Sequence, residues 1–369
     1  MSAPCPKLQV LAAGPGISVQ DLGRFGYLGQ GVSASGAADP IAMHEGAALL
    51  GQSPALAAIE MAGAGGSFSA TQDIRISLTG APMAARIGDM PVAWNASHLL
   101  PANVALVLGG ARGGVYSYLH IGGGVATPPL LGARATNAAA GLGRALVLGD
   151  VLALGRDAKA GMLNQRLDPL PRFGGGLLRI VPSLQTGLFS QADLERFCAI
   201  PFTRDPRGNR MGVKVLPDGA PFRSEGQLTI LSEIIVPGDI QMTGDGVPYV
   251  LLNDCQTTGG YPRIGTVLPC DLPRVAQALP GAVLRFAFVS ADEGRAALRQ
   301  TQTALAALPR AVVPLVRDPH QMQDLLSYNL VGGVISALAP DGLDAGPTDA
   351  NADADADADA QPLAEREAR

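Results

Sequence analysis

Short apolar runs broken by glycine constrain this chain more than any other feature. The 369 residues include 47 glycines and 29 prolines, a glycine share nearly double the usual value of about 7%. Between them lie runs of strand length: Leu8 to Ala12, Ile74 to Thr79, Val104 to Gly109, Val115 to Ile121 and Ala145 to Leu154 in the first half. Leu177 to Pro182, Gln227 to Val236, Tyr249 to Asn253 and Val283 to Val289 follow in the second. Many short strands joined by glycine turns point to closed or nearly closed barrels, so a mainly β fold is expected. Helices are few. Pro40 to Leu50 starts behind Asp39 as N-cap, Gln191 to Cys198 behind Ser190, and Leu272 to Leu279 behind Asp271, while Asp292 to Leu308 has Pro309 as its stop.

The stretch from Arg156 to Gly176, with Pro169, Pro171 and three consecutive glycines, reads as a seam. We place a boundary near 170, giving an N-terminal β half at 1–170 and a C-terminal half with a helical end at 171–338. The remainder, 339–369, is an Asp/Ala-rich tail. Its acids mislead the formal charge of -5, because nine of them stand against Arg366 and Arg369 between 340 and 369 and leave the body near +2. A body so close to neutral lacks the basic footprint that nucleic acid requires. The tail lacks apolar side chains to offset chain entropy and is expected to be disordered; its acids also lack the glycine turn and terminal Glu of a calcium loop.

With 47% hydrophobic residues, the body can build an aliphatic core without staples. Cys5, Cys198, Cys255 and Cys270 form no CxxC pair, and read as free thiols of a reducing cytoplasm. Met1 to Val10 shows no signal-peptide pattern, and no apolar run reaches membrane-spanning length.

Two segments concentrate neutral hydrogen-bonding groups. Asn253 to Pro262 follows an apolar strand and carries Asp254, Gln256, Thr257, Thr258 and Tyr261 around the hinge Gly259-Gly260. The N-terminal region supplies Gly14-Pro-Gly16, then Gln20, Asp21 and Arg24, then Gly31 to Asp39 with Ser33 and Ser35. The two loops are expected to share one site, suited to a small ligand with an amide-like edge. Arg24 or Arg210 can hold a carboxylate or phosphate as a fork; Asp21, Asp39, Glu225 or Asp254 can act as base or polarise a water. The alternative for each charged group is an ion pair tying loop to barrel, for example Asp21 with Arg24.

Other chemistries are excluded. No GxxxxGK[ST] segment occurs, so ATP, if used, is not held by a P-loop. His44, His98, His120 and His320 have no metal-binding spacing, and no metal site is expected. Gly31 to Gly36 is not a GxSxG elbow.

The segments Gly14 to Asp39, Arg210-Met-Gly212, Ser224 to Gln241 and Asp254 to Val267, with a weaker match at Asn329 to Val334, resemble the KipA-like proteins. These are also called the 5-oxoprolinase C subunit, allophanate hydrolase subunit 2 or the biotin-dependent carboxyltransferase family. The likeness spans about residues 8 to 338. It implies two cyclophilin-like β-barrel halves and work beside two 5-oxoprolinase partners, a KipI-like B subunit plus an A subunit, in the ATP-dependent opening of 5-oxoproline to glutamate. The site implied contains Gln20, Asp21, Arg24, Ser33, Ser35, Asp39, Arg210, Glu225, Gln241, Asp254, Gln256, Thr257, Thr258 and Tyr261, with ATP bound with or by the partner. The resemblance also admits, as alternatives, the carboxyltransferase part of a urea carboxylase-type enzyme with biotin on a separate carrier, or a regulatory partner of a KipI-like kinase inhibitor. Cys255 stands where relatives usually carry a basic residue, and Ala38 where they carry methionine.

Overall fold

The computed structural model describes residues 5–159, 161–222 and 230–316. Strands dominate, and among the described residues there are four α-helices. The first half makes two sheets. One runs in the order Val151–Ala153, Lys7–Ala13, Gly66–Ala70, Ala105–Ala111, Met83–Ile87, Met90–Pro91; the other runs Ser18–Gln20, Ala58–Ala62, Tyr116–Ile121, Ile74–Gly80, Ala96–Leu100, Gln165–Arg166, Val313–Pro314.

Alternation explains how the sheets meet. In Lys7–Ala13, Leu8 and Val10 are buried while Lys7, Gln9 and Leu11 are exposed, as a strand with one wet face requires. Leu8, Val10, Phe68 and Leu106 from one sheet join Ile59, Met61, Leu78 and Leu119 from the other in a single core. Ile74–Gly80 and Tyr116–Ile121 are instead buried along their whole length, because helix α1 (Pro40–Leu50) covers their outer face. Polar groups on that face are satisfied by the helix: Ser77 Oγ donates to Gly46 O at 3.1 Å and Thr79 Oγ1 to Ala42 O at 3.0 Å. Contact is so close that a Cβ on Gly46 would lie 2.1 Å from His120 Cδ2.

The second half closes into a seven-stranded barrel in the order Gly176–Val181, Arg263–Val267, Asp239–Met242, Pro248–Leu251, Gly212–Pro217, Phe202–Asn209, Val283–Phe288. Its first and last strands pair in parallel, and the other pairs are antiparallel. Helix α2 (Gln191–Ala199) contributes Phe197, which packs against Phe202, Phe222 and Phe286 with ring centroids 4.8 to 5.6 Å apart. The barrel core continues into the first half through Ala37, Met43, Tyr116 and Tyr118.

Helices α1 and α2 begin where the sequence places them, with Asp39 accepting from Ala42 N and Ser190 from Asp193 N. Helix α3 (Leu272–Gln277) is shorter than expected and lacks a side-chain cap from Asp271. Helix α4 (Ala291–Ala311) passes through Pro309; only two helical residues follow, so the proline interrupts the last turn rather than an interior one. The expected strand at Ala145 to Leu154 keeps only Val151–Ala153, since Asp150 instead braces a turn by pairing with Arg144 at 2.6 Å and accepting Val147 N at 2.9 Å. The expected strand at Gln227 to Val236 overlaps undescribed residues, and its described part pairs only at Glu233–Ile234. Glu225, Asn329 to Val334 and the acidic tail lie outside the described residues. No helix among the described residues is long and apolar enough to cross a membrane.

Candidate functional site

The two polar turns meet. Gly31 and Ser33 from the early one, and Cys255, Gln256, Thr257 and Thr258 from the late one, line a groove of 440 Å³. Asn137, Ala139 and Ala140 complete the wall. Asn137 was invisible in the sequence, standing before three alanines with no motif around it; it donates from Nδ2 to Ser33 Oγ at 2.9 Å and accepts Ala140 N at Oδ1. Ser33 Oγ therefore keeps its own proton to offer. The Gln256, Thr257 and Thr258 side chains have no hydrogen-bond partner among the described residues, and Gln256 and Thr258 are exposed. Every group on this lining is neutral or apolar at neutral pH.

The late turn is held from beneath. Thr258–Gly259 pairs with Glu233–Ile234, and Ile235 N donates to Thr257 O at 3.1 Å. Gly259 sits close over Gln241: a Cβ there would lie 2.5 Å from its Nε2 and would require that side chain to shift. Gln241 is thus buried under the turn, with that nitrogen unpartnered. Cys255 is buried among Ile235, Leu251 and Tyr249, and burial followed by Asp239 and Asp254 pushes its thiol up to about 12. It packs as a small apolar group and is not a reactive thiol. Tyr261 is 44% exposed and does not line the groove. Arg263, which sequence reasoning passed over, anchors the whole loop by pairing with Glu233 at 2.6 Å and Asp239 at 3.3 Å.

Behind the groove the expected charged residues are committed to one another. Arg210 donates to Asp254 at 2.7 and 3.1 Å, to Glu60, and to Gly36 O at 2.6 Å. Burial opposes its charge, but Glu60 and Asp254 outweigh burial and hold the guanidinium above its ordinary range. Arg210 therefore ties the two turns together and has no free fork for an anion. Glu60 also accepts Ala38 N at 2.8 Å and Tyr118 Oη at 2.7 Å, and Asn253 Nδ2 donates to Ala37 O at 2.6 Å. Asp39 is fully buried, where it caps α1 and accepts from Arg172 and from Gln277 Nε2 at 2.8 Å. Arg172 also forks onto Glu45 at 2.7 and 2.8 Å. Glu45, Glu60, Tyr118, Arg172 and Gln277 escaped notice because they are single residues far apart in sequence.

Asp21 does not bond Arg24. Its carboxylate accepts Gly23 N at 2.9 Å and Arg134 N at 2.6 Å, fixing the loop. Gln20 is fully buried; Nε2 donates to Ser18 Oγ at 3.0 Å and Thr136 O at 3.1 Å, and Oε1 has no partner among the described residues. Ser35 is buried at a left-handed φ of 52° with its hydroxyl unpartnered, a position that ordinarily favours glycine. Arg24 is 2% exposed and donates to the backbone oxygens of Leu130 and Ala135.

Fold and groove together define a mainly β protein whose two halves present a preformed, neutral polar site. A family model described as carboxyltransferase domain, subdomain A and B, matches residues 30–288, and the chain belongs to that family. It is similar to the 5-oxoprolinase C subunit of Escherichia coli (strain K12), 32% identical over 300 residues that cover 80% of this chain and 95% of that relative. Urea amidolyase of Lachancea kluyveri is 27% identical over 327 residues, 82% of this chain but 18% of that much longer protein. Among solved structures, that of TTHA0988 matches with a TM-score of 0.69 and 28% identity, covering 78% of this chain and 57% of that one.

Proposed function

We propose that this chain is the C subunit of an ATP-dependent 5-oxoprolinase, acting with KipI-like B and A partners to convert 5-oxoproline to glutamate. The observation that carries this reading is the groove where the two turns meet, in which the Gln256, Thr257 and Thr258 side chains have no hydrogen-bond partner among the described residues. A lactam offers one carbonyl acceptor and one N–H donor side by side, and Gln256 can answer both. The lactam resists water until its oxygen is activated, so preset donors such as Ser33 and Gln256 would stabilise charge developing there. The 32% identity to a relative named as the C subunit of 5-oxoprolinase supports the assignment.

In this reading the chain seats the lactam, and the partners bring ATP. The groove lining holds no cation, whereas a triphosphate calls for several charged donors. Asp254 sits beside the groove, but both its oxygens accept from Arg210; we assign it to holding the late turn rather than to proton transfer. The cysteines are all free thiols, which supports a cytoplasmic setting.

The purified A and B partners with this chain should release phosphate in step with glutamate, and activity unchanged when this chain is omitted would defeat the proposal. Gln256→Ala should lower kcat/KM about 10-fold or more, the scale of one or two lost hydrogen bonds, while thermal unfolding stays within about 1 °C. The similarity to a urea amidolyase favours a second reading, the carboxyltransferase part of a urea-type enzyme; it predicts binding to a biotinylated carrier chain and carboxylation of urea in place of oxoproline turnover. A stable complex with a KipI-like partner that turns over neither amide would point to the regulatory role.

A further inference from the structure

Among the described residues, the strongest buried arginines have anionic partners: Arg172 with Asp39 and Glu45, Arg75 with Asp157, Arg210 with Glu60 and Asp254, Arg263 with Glu233 and Asp239. Arg24 has none. Its guanidinium is held by two backbone oxygens, that of Leu130 at a weak 3.5 Å, and Nη1 has no partner among the described residues. Nearby carboxylates are spent elsewhere, Asp21 on Gly23 and Arg134 and Asp254 on Arg210. Burial accordingly lowers the hold of Arg24 on its proton, with Asp21 and Asp254 only partly offsetting the loss. A buried cation without an anion is costly, and such a group is what a charged ligand would complete.

Arg24 does not itself line the groove, and its side-chain partners Leu130 and Ala135 border a neighbouring pocket, but three of its neighbours adjoin the groove. Arg24 N donates to Ala34 O at 2.8 Å, next to groove-lining Ser33. Its side chain holds Ala135 O, two residues before groove-lining Asn137. It lies within the field of Asp254, which adjoins groove-lining Cys255. Two further buried polar atoms without partners, Gln20 Oε1 and Ser35 Oγ, belong to the same segment. Arg204 is also buried without a carboxylate, but it bonds Asp205 O on a barrel strand and nothing connects it to the groove.

We propose that Arg24 receives the carboxylate of a small cyclic amide whose ring and amide edge occupy the neutral groove. The inference rests on the oxoprolinase reading and deepens it by dividing the ligand into two recognised parts. 5-Oxoproline carries one carboxylate and one lactam; the groove suits the lactam, and the Arg24 fork suits the carboxylate. The unpartnered Nη1 is the donor that a carboxylate would meet. Urea has no carboxylate and would gain nothing from this residue.

The test compares 5-oxoproline with 2-pyrrolidinone, the same lactam without the carboxylate, on the full three-component complex. For the wild type, 2-pyrrolidinone should compete at least about 100-fold less well, the scale on which a site built for a polar group rejects the analogue lacking it. Arg24→Gln should raise KM for 5-oxoproline about 30-fold or more and leave inhibition by 2-pyrrolidinone within about 2-fold of wild type. Should that variant fail to assemble, Arg24→Lys keeps the charge without the fork and should raise KM about 10-fold. Equal competition by the two lactams, or a variant of normal KM, overturns the inference while oxoprolinase activity still stands. A complex that carboxylates urea and ignores 5-oxoproline overturns the underlying reading instead.

Discussion

At the scale of single residues, Arg210 shows how a motif can be read correctly and its role mistaken. The Arg-Met-Gly run suggested an anion fork, and the structure gives the guanidinium to Glu60, Asp254 and Gly36 O. Glu60 is 1% exposed and Asp254 12% as side chains, so Arg210→Met would strand two carboxylates away from water. The expected loss is about 3–5 kcal/mol, the usual result of removing one member of a buried pair, seen as a lower unfolding midpoint in urea. Loss of turnover in that variant would follow from displaced turns, and adding excess substrate would not restore it. Which charges pair was not legible, because pairing depends on register between strands about 150 residues apart; that the polar turns form one groove was legible, because both crowd neutral hydrogen-bonding groups onto glycine turns.

At the scale of elements, α1 and the strand Tyr116–Ile121 form the tightest joint. His120 is 2% exposed against Gly46, with Nε2 2.8 Å from Thr79 Oγ1, and burial lowers its pKa from 6.5 to about 3. The folded state thus holds this imidazole neutral, while the unfolded chain protonates it below about pH 6.5. Stability from this group is complete above about pH 6.5 and drains away as pH falls toward about 3. Thermal midpoints measured from about pH 7 to about pH 4 should decline accordingly, and His120→Gln should flatten that decline even if its midpoint at neutral pH is lower. The strands and caps of this joint were readable from apolar runs and from Asp39. The short strands Ser18–Gln20, Gly66–Ala70 and Asp239–Met242 were not, since glycine, serine and aspartate within them mask the alternation that packing imposes.

At the scale of the molecule, strand membership changes between Arg166 and Gly176, and we retain the proposal of a boundary near 170. The polar links cross it nonetheless: Arg172 reaches Asp39 and Glu45, and Gln277 reaches Asp39, Val115 and Tyr116. Calorimetry of the intact chain should therefore give one unfolding transition, and Arg172→Met should split or broaden it; two transitions in the unaltered chain would show that the links carry no cooperativity. Barrel closure in one half was within reach of the sequence, through its glycine-punctuated strands. The late return of α4 was not. That helix sends Leu305 and Leu308 back to Ala48 and Leu49 of α1, and Val313–Pro314 then adds to the edge of Gln165–Arg166. On the ribosome, the first half thus emerges with a greasy flank uncovered and stays so until the whole second half has been translated, leaving a window in which a chaperone has something to hold.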